Sequence, residues 1–382
     1  MDADVAVVGL GSMGSMAAWQ LAAAGTDVLA FEQFGIGDRR TAAGGESRAL
    51  FRALEPRTGP TPLVDRAIQL WEQLEEESGH SLYVRSGTLV IGKRSSARMR
   101  ALVDLAGGGR GLEVLDHLET RRRYPAHIVG PDDLAVFENQ GGALRSEPAV
   151  VAAARLAGKR GARFVTGHPV TRIESGPAGV TLEAGGRTYR ARKAVVTPGL
   201  WTSTLLPELA PHVVTRRCAL SWWAANDPAL FTPERFPCFV RESAGRARSG
   251  AEYFGMPALD GSSVKFAKLD TYGLVAPTDR LDQYLEDAVI ETDRARLRES
   301  LTGLHDYPHR IHVAMEGFTA DGAPVIGPLP GRENVIVAAG FSGGGFRIAS
   351  AMGEVLAGIA TSGTVPESVA GLSVERFAAA RS

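Results

Sequence analysis

Apolar and polar positions alternate along this chain in two rhythms, one helical and one extended. Near the start, residues 4–8 form a short apolar run, which predicts a buried strand. Residues 15–24, rich in Ala, Leu, Met and Trp, predict a helix ended by Gly25, and 28–31 predict a second strand that closes on Glu32. Leu63, Ala67, Leu70, Trp71 and Leu74 recur at the helical spacing across Pro62–Ser78, with Thr61 as a cap, Pro62 in the first turn and Gly79 just past the end. Residues 83–91 read as a strand pair around Gly87, 97–105 and 119–123 as helices, 135–143 as an exposed hairpin, and 147–158 as a helix. Strands follow at 162–165 and 170–174, with a hairpin of 179–183 and 188–191, and a buried strand at 193–197. From 213 to 313 the extended rhythm dominates, at 220–224, 238–241, 251–256 and 263–269, with one helix near 281–301. The chain then returns to a strand at 334–339, a run of glycines, and a helix at 348–360.

Strand–helix–strand at both ends, around an aromatic-rich antiparallel stretch, predicts an α/β chain (α+β overall). Its length of 382 residues accommodates two domains. Apolar residues make up 44% and charged residues 22%, and 42 basic residues face 43 acidic ones. That balance gives no reason to expect nucleic acid or an anionic membrane as partner. The basic run Arg121-Arg122-Arg123 reads as a solvated helix end. No apolar stretch is long enough for a bilayer, and a start carrying Asp2 and Asp4 without a basic segment is unlike a signal peptide, so a cytoplasmic setting is expected. Two cysteines, Cys218 and Cys238, make neither a disulfide framework nor a zinc site. His305, His309 and His312 are interrupted by Pro308, and no metal site is expected.

The chemistry begins at the first turn. Gly9, Gly11 and Gly14 form a G-x-G-x-x-G between a strand and a helix. In such a turn the first glycine permits the bend, the second lets backbone approach a pyrophosphate, and the third lets helix pack on strand. The free N–H groups of the helix start then face the anion. Glu32 stands where a carboxylate meets a ribose diol. Order and spacing together predict dinucleotide binding, with NAD and FAD equally compatible with the turn.

A wider set of motifs is more specific. The chain resembles the monomeric sarcosine oxidase and N-methyltryptophan oxidase family of flavin amine oxidases, in the D-amino-acid-oxidase-like fold. The resemblance rests on the first glycine turn, Gly45-Glu46-Ser47-Arg48, Pro198-Gly199-Leu200-Trp201, Val264-Lys265-Phe266, the stretch 318–327, and the stretch 339–347 with Gly343, Gly344 and Gly345. It covers nearly the whole chain and implies FAD, held in a Rossmann-like domain of 1–80, 145–212 and 320–382. An inserted antiparallel-sheet substrate domain is expected at 81–144 and 213–319. The resemblance further implies that Gly9, Gly11, Ser12, Met13, Gly14, Glu32, Arg48, Val170, Gly343, Gly344, Gly345 and Phe346 bind the cofactor. Lys265, with Lys268 as a competitor three residues on, matches the lysine tied to oxygen activation. Arg52 and Arg347 match the pair that holds the substrate carboxylate, although Arg48 and Arg52 stand one residue further apart than in the family.

Departures from the family carry their own expectations. The cysteine that attaches FAD aligns with Ala314 and a histidine near the flavin with Gly44, so a noncovalent flavin is expected. Pocket side chains align with Phe254, Leu269 and Glu316, so sarcosine is not the expected substrate. The resemblance implies an oxidase acting on the C–N bond of an amino acid or a carboxylate-bearing secondary or N-substituted amine. The products would be an imine and hydrogen peroxide, from a chain expected to be monomeric. The alternatives are a flavin dehydrogenase with another acceptor, a catalytically silent flavoprotein, or, from the first turn alone, a nicotinamide dehydrogenase.

Overall fold

The computed structural model describes residues 1–52, 62–108, 111–242, 251–268, 272–275 and 284–379. The apolar run at the start forms strand Ala3–Val8, which pairs in parallel with Val28–Glu32 on one side and Arg187–Val196 on the other. Parallel neighbours need a crossover, and helix Ser12–Ala23 supplies it. Most of that helix is buried, including Met16, Trp19 and Leu21, because helices Ser146–Lys159 and Ala349–Ser362 pack against it. Its sequence is accordingly apolar on every side.

Arg163–Thr166 extends this sheet beyond Val28–Glu32, and Arg332–Ala339 lies parallel to Arg187–Val196. Val325–Leu329 pairs antiparallel with Arg332–Ala339 at the far side. Strands Val170–Gly176 and Gly179–Ala184 form a meander on the first half of Arg187–Val196. The hairpin arm expected at 188–191 and the buried strand expected at 193–197 are thus one strand. It pairs with the meander first and with the parallel sheet afterwards.

The second sheet has nine strands and is antiparallel except where Cys238–Glu242 meets Thr88–Lys93. Its spine is the pair Val213–Ala225 and Leu304–Thr319. Ser263–Lys268 and then Ala251–Met256 follow on the other side of Val213–Ala225. One face buries an aromatic core that includes Trp223, Phe231, Phe236, Phe239 and Phe266. A small third sheet joins Ser47–Leu50, Gly142–Arg145 and Tyr83–Val84. The architecture is therefore mixed α/β, a Rossmann-like parallel sheet beside a largely antiparallel one.

Several expectations are corrected. The first helix begins at Ser12, so Gly14 lies inside it. Residues 135–143 are not an exposed hairpin: Asp133–Glu138 is mostly buried in the large antiparallel sheet, and Gly142–Arg145 belongs to the small one. A Cβ on Gly142 would stand 2.1 Å from the Val84 carbonyl oxygen, so the close approach of strand Tyr83–Val84 requires glycine there. Tyr83–Val84 and Thr88–Lys93 likewise belong to different sheets rather than to one strand pair. The helix expected near 281–301 is Asp287–Ser300. Thr61, Leu269 and 281–283 lie outside the described residues.

Candidate active site

A cavity of about 380 Å³ runs from the first glycine turn, across the carboxyl ends of the parallel strands, to the long antiparallel strand Leu304–Thr319. Gly9 takes φ +85°, and a Cβ there would meet the Thr197 carbonyl oxygen at 2.5 Å. Gly14 is tighter still, with a Cβ placed 1.8 Å from the Gly9 carbonyl oxygen. Gly11 is the opposite: a Cβ would meet nothing within 4 Å, and the residue lines the cavity. The turn is packed from behind and open in front, as backbone that receives a phosphate must be. Ser12 and Met13, in the first turn of the helix, line the same space. Thr197 fastens the turn by donating from Oγ1 to the Val8 and Gly9 carbonyls.

Glu32, at the end of its strand, is buried and lines the cavity. Its carboxylate accepts from the backbone N–H of Leu10 at 2.8 Å and of Phe34 at 3.0 Å. Burial raises its pKa above the ordinary glutamate value, and those backbone donors oppose the rise. Pro169, Val170 and Thr171 close the cavity beyond Glu32. The turn, the helix start and Glu32 together fit the pyrophosphate and ribose of a dinucleotide.

At the other end stand Arg48, Glu316, and the loop from Gly340 to Phe346. Arg48 donates to the carbonyls of Ser47 (2.9 Å), Ala42 and Gly44 (2.7 Å each), which fixes its guanidinium in place. The Glu316 carboxylate lies 3.9 Å from it. Burial raises the Glu316 pKa, while Arg48 and then Lys265 pull the other way. The C-terminal loop bends at Gly340 (φ +69°), Ser342 (φ +51°) and Gly343 (φ +84°). Gly345 and Phe346 line the cavity, whereas Gly344 is exposed and does not.

Lys265 is buried, at 2% exposure, on strand Ser263–Lys268. Its ammonium donates to the carbonyls of Gly45 at 2.7 Å and Ser47 at 2.6 Å. Burial, and after it the charge of Arg48, hold its pKa well below the usual lysine value. Lys268 is half-buried, and three residues along a strand reverse the face, so the two lysines point apart. The remaining expected residues do not line the cavity. Arg52 bonds through Nε to Asp65 on helix Pro62–Ser78 at 2.5 Å. Arg347, half-buried in the turn Phe346–Ile348, accepts from the Trp71 indole through its backbone carbonyl at 3.0 Å. Phe254 packs with Leu220, Trp222 and Ala267.

Sequence reasoning missed three residues here. Thr197 was read only as the end of a strand. His312, weighed as part of a metal cluster, is buried on Leu304–Thr319 beside Arg48 and Lys265, and burial lowers its pKa to about 4. Glu46, named only as part of the motif 45–48, accepts from the Trp222 indole and from Arg310, partners 176 and 264 residues away in sequence, so no local signal reveals those contacts.

A dinucleotide cradle that opens on a sheet carrying a buried lysine and a carboxylate, with an arginine from the small third sheet beside them, is the arrangement of a dinucleotide-dependent oxidoreductase. Residues 4–359 match the family described as FAD dependent oxidoreductase, and the chain belongs to that family. It is 30% identical to monomeric sarcosine oxidase of Streptomyces avermitilis, over 99% of this chain and 98% of that one. It is also 30% identical to N-methyl-L-tryptophan oxidase of Salmonella agona, over 99% and 100%. Among solved structures it is similar in fold to NikD, an unusual amino acid oxidase essential for nikkomycin biosynthesis, with a TM-score of 0.84 at 20% identity over 97% of each chain. Glycine oxidase from Geobacillus kaustophilus shares the fold with a TM-score of 0.80 at 18% identity over 98% of each.

Proposed function

We propose that the protein is an FAD-dependent oxidase of the C–N bond in an amino acid or a carboxylate-bearing secondary or N-substituted amine. The cavity carries this reading: it joins an open pyrophosphate turn to a wall holding Arg48 and Glu316, beside the buried Lys265. FAD, when bound, would supply the two-electron redox chemistry by which amine and dioxygen become imine and hydrogen peroxide.

The chain's own groups divide the remaining work. Gly9, Gly11, Ser12, Met13, Gly14 and Glu32 hold the dinucleotide, with Val170 at the adenine end and Arg48, Gly343, Gly344, Gly345 and Phe346 at the ring end. Lys265 supplies a fixed positive charge for reduced oxygen. Arg347 and Arg52 receive the substrate carboxylate, and Arg52 exchanges Asp65 for it. The Arg52–Asp65 pair is partly exposed (26% and 42%), so parting it costs only about 1 kcal/mol or less. Glu316, on the cavity wall, and Phe254, outside the cavity lining, set substrate choice, and Glu316 selects a substrate with a second amine or hydroxyl. Residues 1–80, 145–212 and 320–382 serve the flavin, and 81–144 and 213–319 the substrate.

The flavin is held noncovalently. Ala314 offers no nucleophile, Cys238 is buried, and Cys218 stands on the neighbouring strand, opposite Ala314. The test is an absorption spectrum before and after acid precipitation, with oxygen uptake across a panel of amines. A yellow protein that releases its flavin to the supernatant and consumes oxygen with a carboxylate-bearing amine is expected. Flavin in the pellet would refute the noncovalent assignment, with C218S as the variant that identifies the bond. A colourless protein that takes up no FAD would end the oxidase reading.

A further inference from the structure

The segment between the cavity arginine and the glycines before it is bent in an unusual way. Gly45 takes φ +95° and Glu46 φ +70°, and the Ser47 N–H closes a three-residue turn onto the Gly45 carbonyl at 2.8 Å. A glutamate in left-handed backbone is uncommon, and such strain persists only where the surroundings over-determine it. Here they do. The Glu46 carboxylate accepts from Trp222 Nε1 at 2.5 Å and from Arg310 at 2.6 Å. Its backbone carbonyl accepts from the Ser146 N–H at 3.0 Å, and the Gly45 N–H donates to Glu147 at 3.1 Å.

The turn sends successive carbonyls in different directions. Gly45 and Ser47 point theirs at the Lys265 ammonium, while Glu46 points its own at Ser146. The residues that pin the Glu46 side chain lie in one row across the antiparallel sheet. Lys265 is the direct partner of Trp222 in one ladder, and Arg310 is its partner in the other. The Arg310 guanidinium sits 3.8 Å from the Trp222 ring centre, and the Lys265 ammonium 5.3 Å from it. Row and turn therefore hold each other: the sheet fixes the carboxylate, the carboxylate fixes the turn, and the turn fixes the lysine.

We propose that Glu46 is the positioning residue of Lys265, pinned by Trp222 and Arg310 so that its left-handed turn aims two carbonyls at the ammonium. This rests on the reading of Lys265 as the group that meets dioxygen. Placement by backbone carbonyls leaves the ammonium oriented before any substrate arrives, and it involves no contact between Glu46 and the reacting atoms.

Three variants test it. E46A keeps a side chain that disfavours the left-handed turn and removes the pins, E46G removes both pins and strain, and K265M removes the cation. The expected result for E46A is reoxidation of chemically reduced flavin by dioxygen at least tenfold slower, with reduction by the amine within twofold of wild type. E46G recovers a large part of that loss, as only a backbone role predicts. A crystal structure of FAD-free E46A shows Lys265 detached from at least one of the two carbonyls. If E46A does not fold while FAD-free E46G does, that difference itself reports the strain of the left-handed turn, and E46G is expected to keep Lys265 on both carbonyls; an E46G crystal structure with Lys265 detached from them overturns the proposal. Both contacts intact in E46A, or wild-type reoxidation in E46A while K265M is slow, overturns the proposal. Wild-type reoxidation in K265M instead removes the oxygen role of Lys265, and the FAD-free structure then decides separately whether Glu46 places it.

Discussion

Gly11 and Gly14 are three residues apart in one motif, yet the structure assigns opposite consequences to filling them. For Gly11→Ala the new methyl enters open cavity space, at a backbone of φ −73° and ψ −153° that any residue adopts. The fold loses only the small preference for glycine over alanine at a helix cap, about 0.5–1 kcal/mol. The methyl occupies the space that phosphate oxygens need to reach the helix N–H groups. Losing one charge-assisted hydrogen bond of about 1.5–3 kcal/mol weakens FAD binding roughly 10- to 150-fold. For Gly14→Ala the methyl is driven to 1.8 Å from the Gly9 carbonyl oxygen and 2.6 Å from Thr197 Oγ1. The first is backbone held by Thr197 and by the sheet, so it cannot turn aside. Overpacking of this kind costs about 3 kcal/mol, against about 1 kcal/mol gained because alanine suits a helix interior better than glycine. The net loss of about 2 kcal/mol lowers Tm by roughly 2–3 °C for a chain of 382 residues. Thermal melting of FAD-free protein and fluorescence titration with FAD read the two quantities separately. G11A is expected to melt near wild type and bind weakly, and G14A to melt early. A G11A protein with wild-type FAD affinity would show that the cradle is not what holds the dinucleotide, and a G14A protein with wild-type Tm would refute the close packing of Gly14 on the Gly9 carbonyl.

Glu316→Gln is expected to lower kcat/KM for a substrate with a second cationic group by roughly 10- to 150-fold, the value of a charge-assisted hydrogen bond. Simple carboxylate-bearing secondary amines should change only a few-fold, and an equal loss for both classes would remove Glu316 from substrate choice. Because burial raises its pKa, wild-type preference for the cationic substrate should fade as pH drops through that raised value. Lys265 makes a prediction for stability. Its folded pKa lies well below the ordinary 10.5, so between the two values the unfolded chain binds more protons and stability rises with pH. Urea unfolding of FAD-free protein as pH rises toward 10.5 should show this rise in wild type and a flatter curve in K265M. Parallel curves would mean the lysine is not desolvated as the structure has it.

What the sequence made legible and what it hid divide along the range of the interactions. The first glycine turn was readable because most of what shapes it lies within residues 3–32: a buried strand, a bend at Gly9, a packed Gly14 and an acid that accepts from the Leu10 N–H, with Thr197 the one distant support. Its one error was local as well. Gly11 and Gly14 argued against helix by propensity, while packing against Gly9 and Thr197 places Gly14 inside one. Strand periodicity puts Lys265 and Lys268 on opposite faces, but that Lys265 is the buried one depends on the packing of the sheet. The misread hairpin at 135–143 shows the limit. Alternation marked the strands, but nothing in 139–142 reports that Gly142 passes under the Val84 carbonyl into another sheet. Arg52 shows it again. Strand Ser47–Leu50 ends two residues earlier, so the periodicity that aims Arg48 at the cavity does not extend to Arg52, and Asp65 takes it instead. Glu46 is the extreme case, because its strain is local but its reasons are Trp222 and Arg310 on a different sheet. A strained residue held by distant partners is where local sequence rules break down, and it is also where the geometry around Lys265 is set.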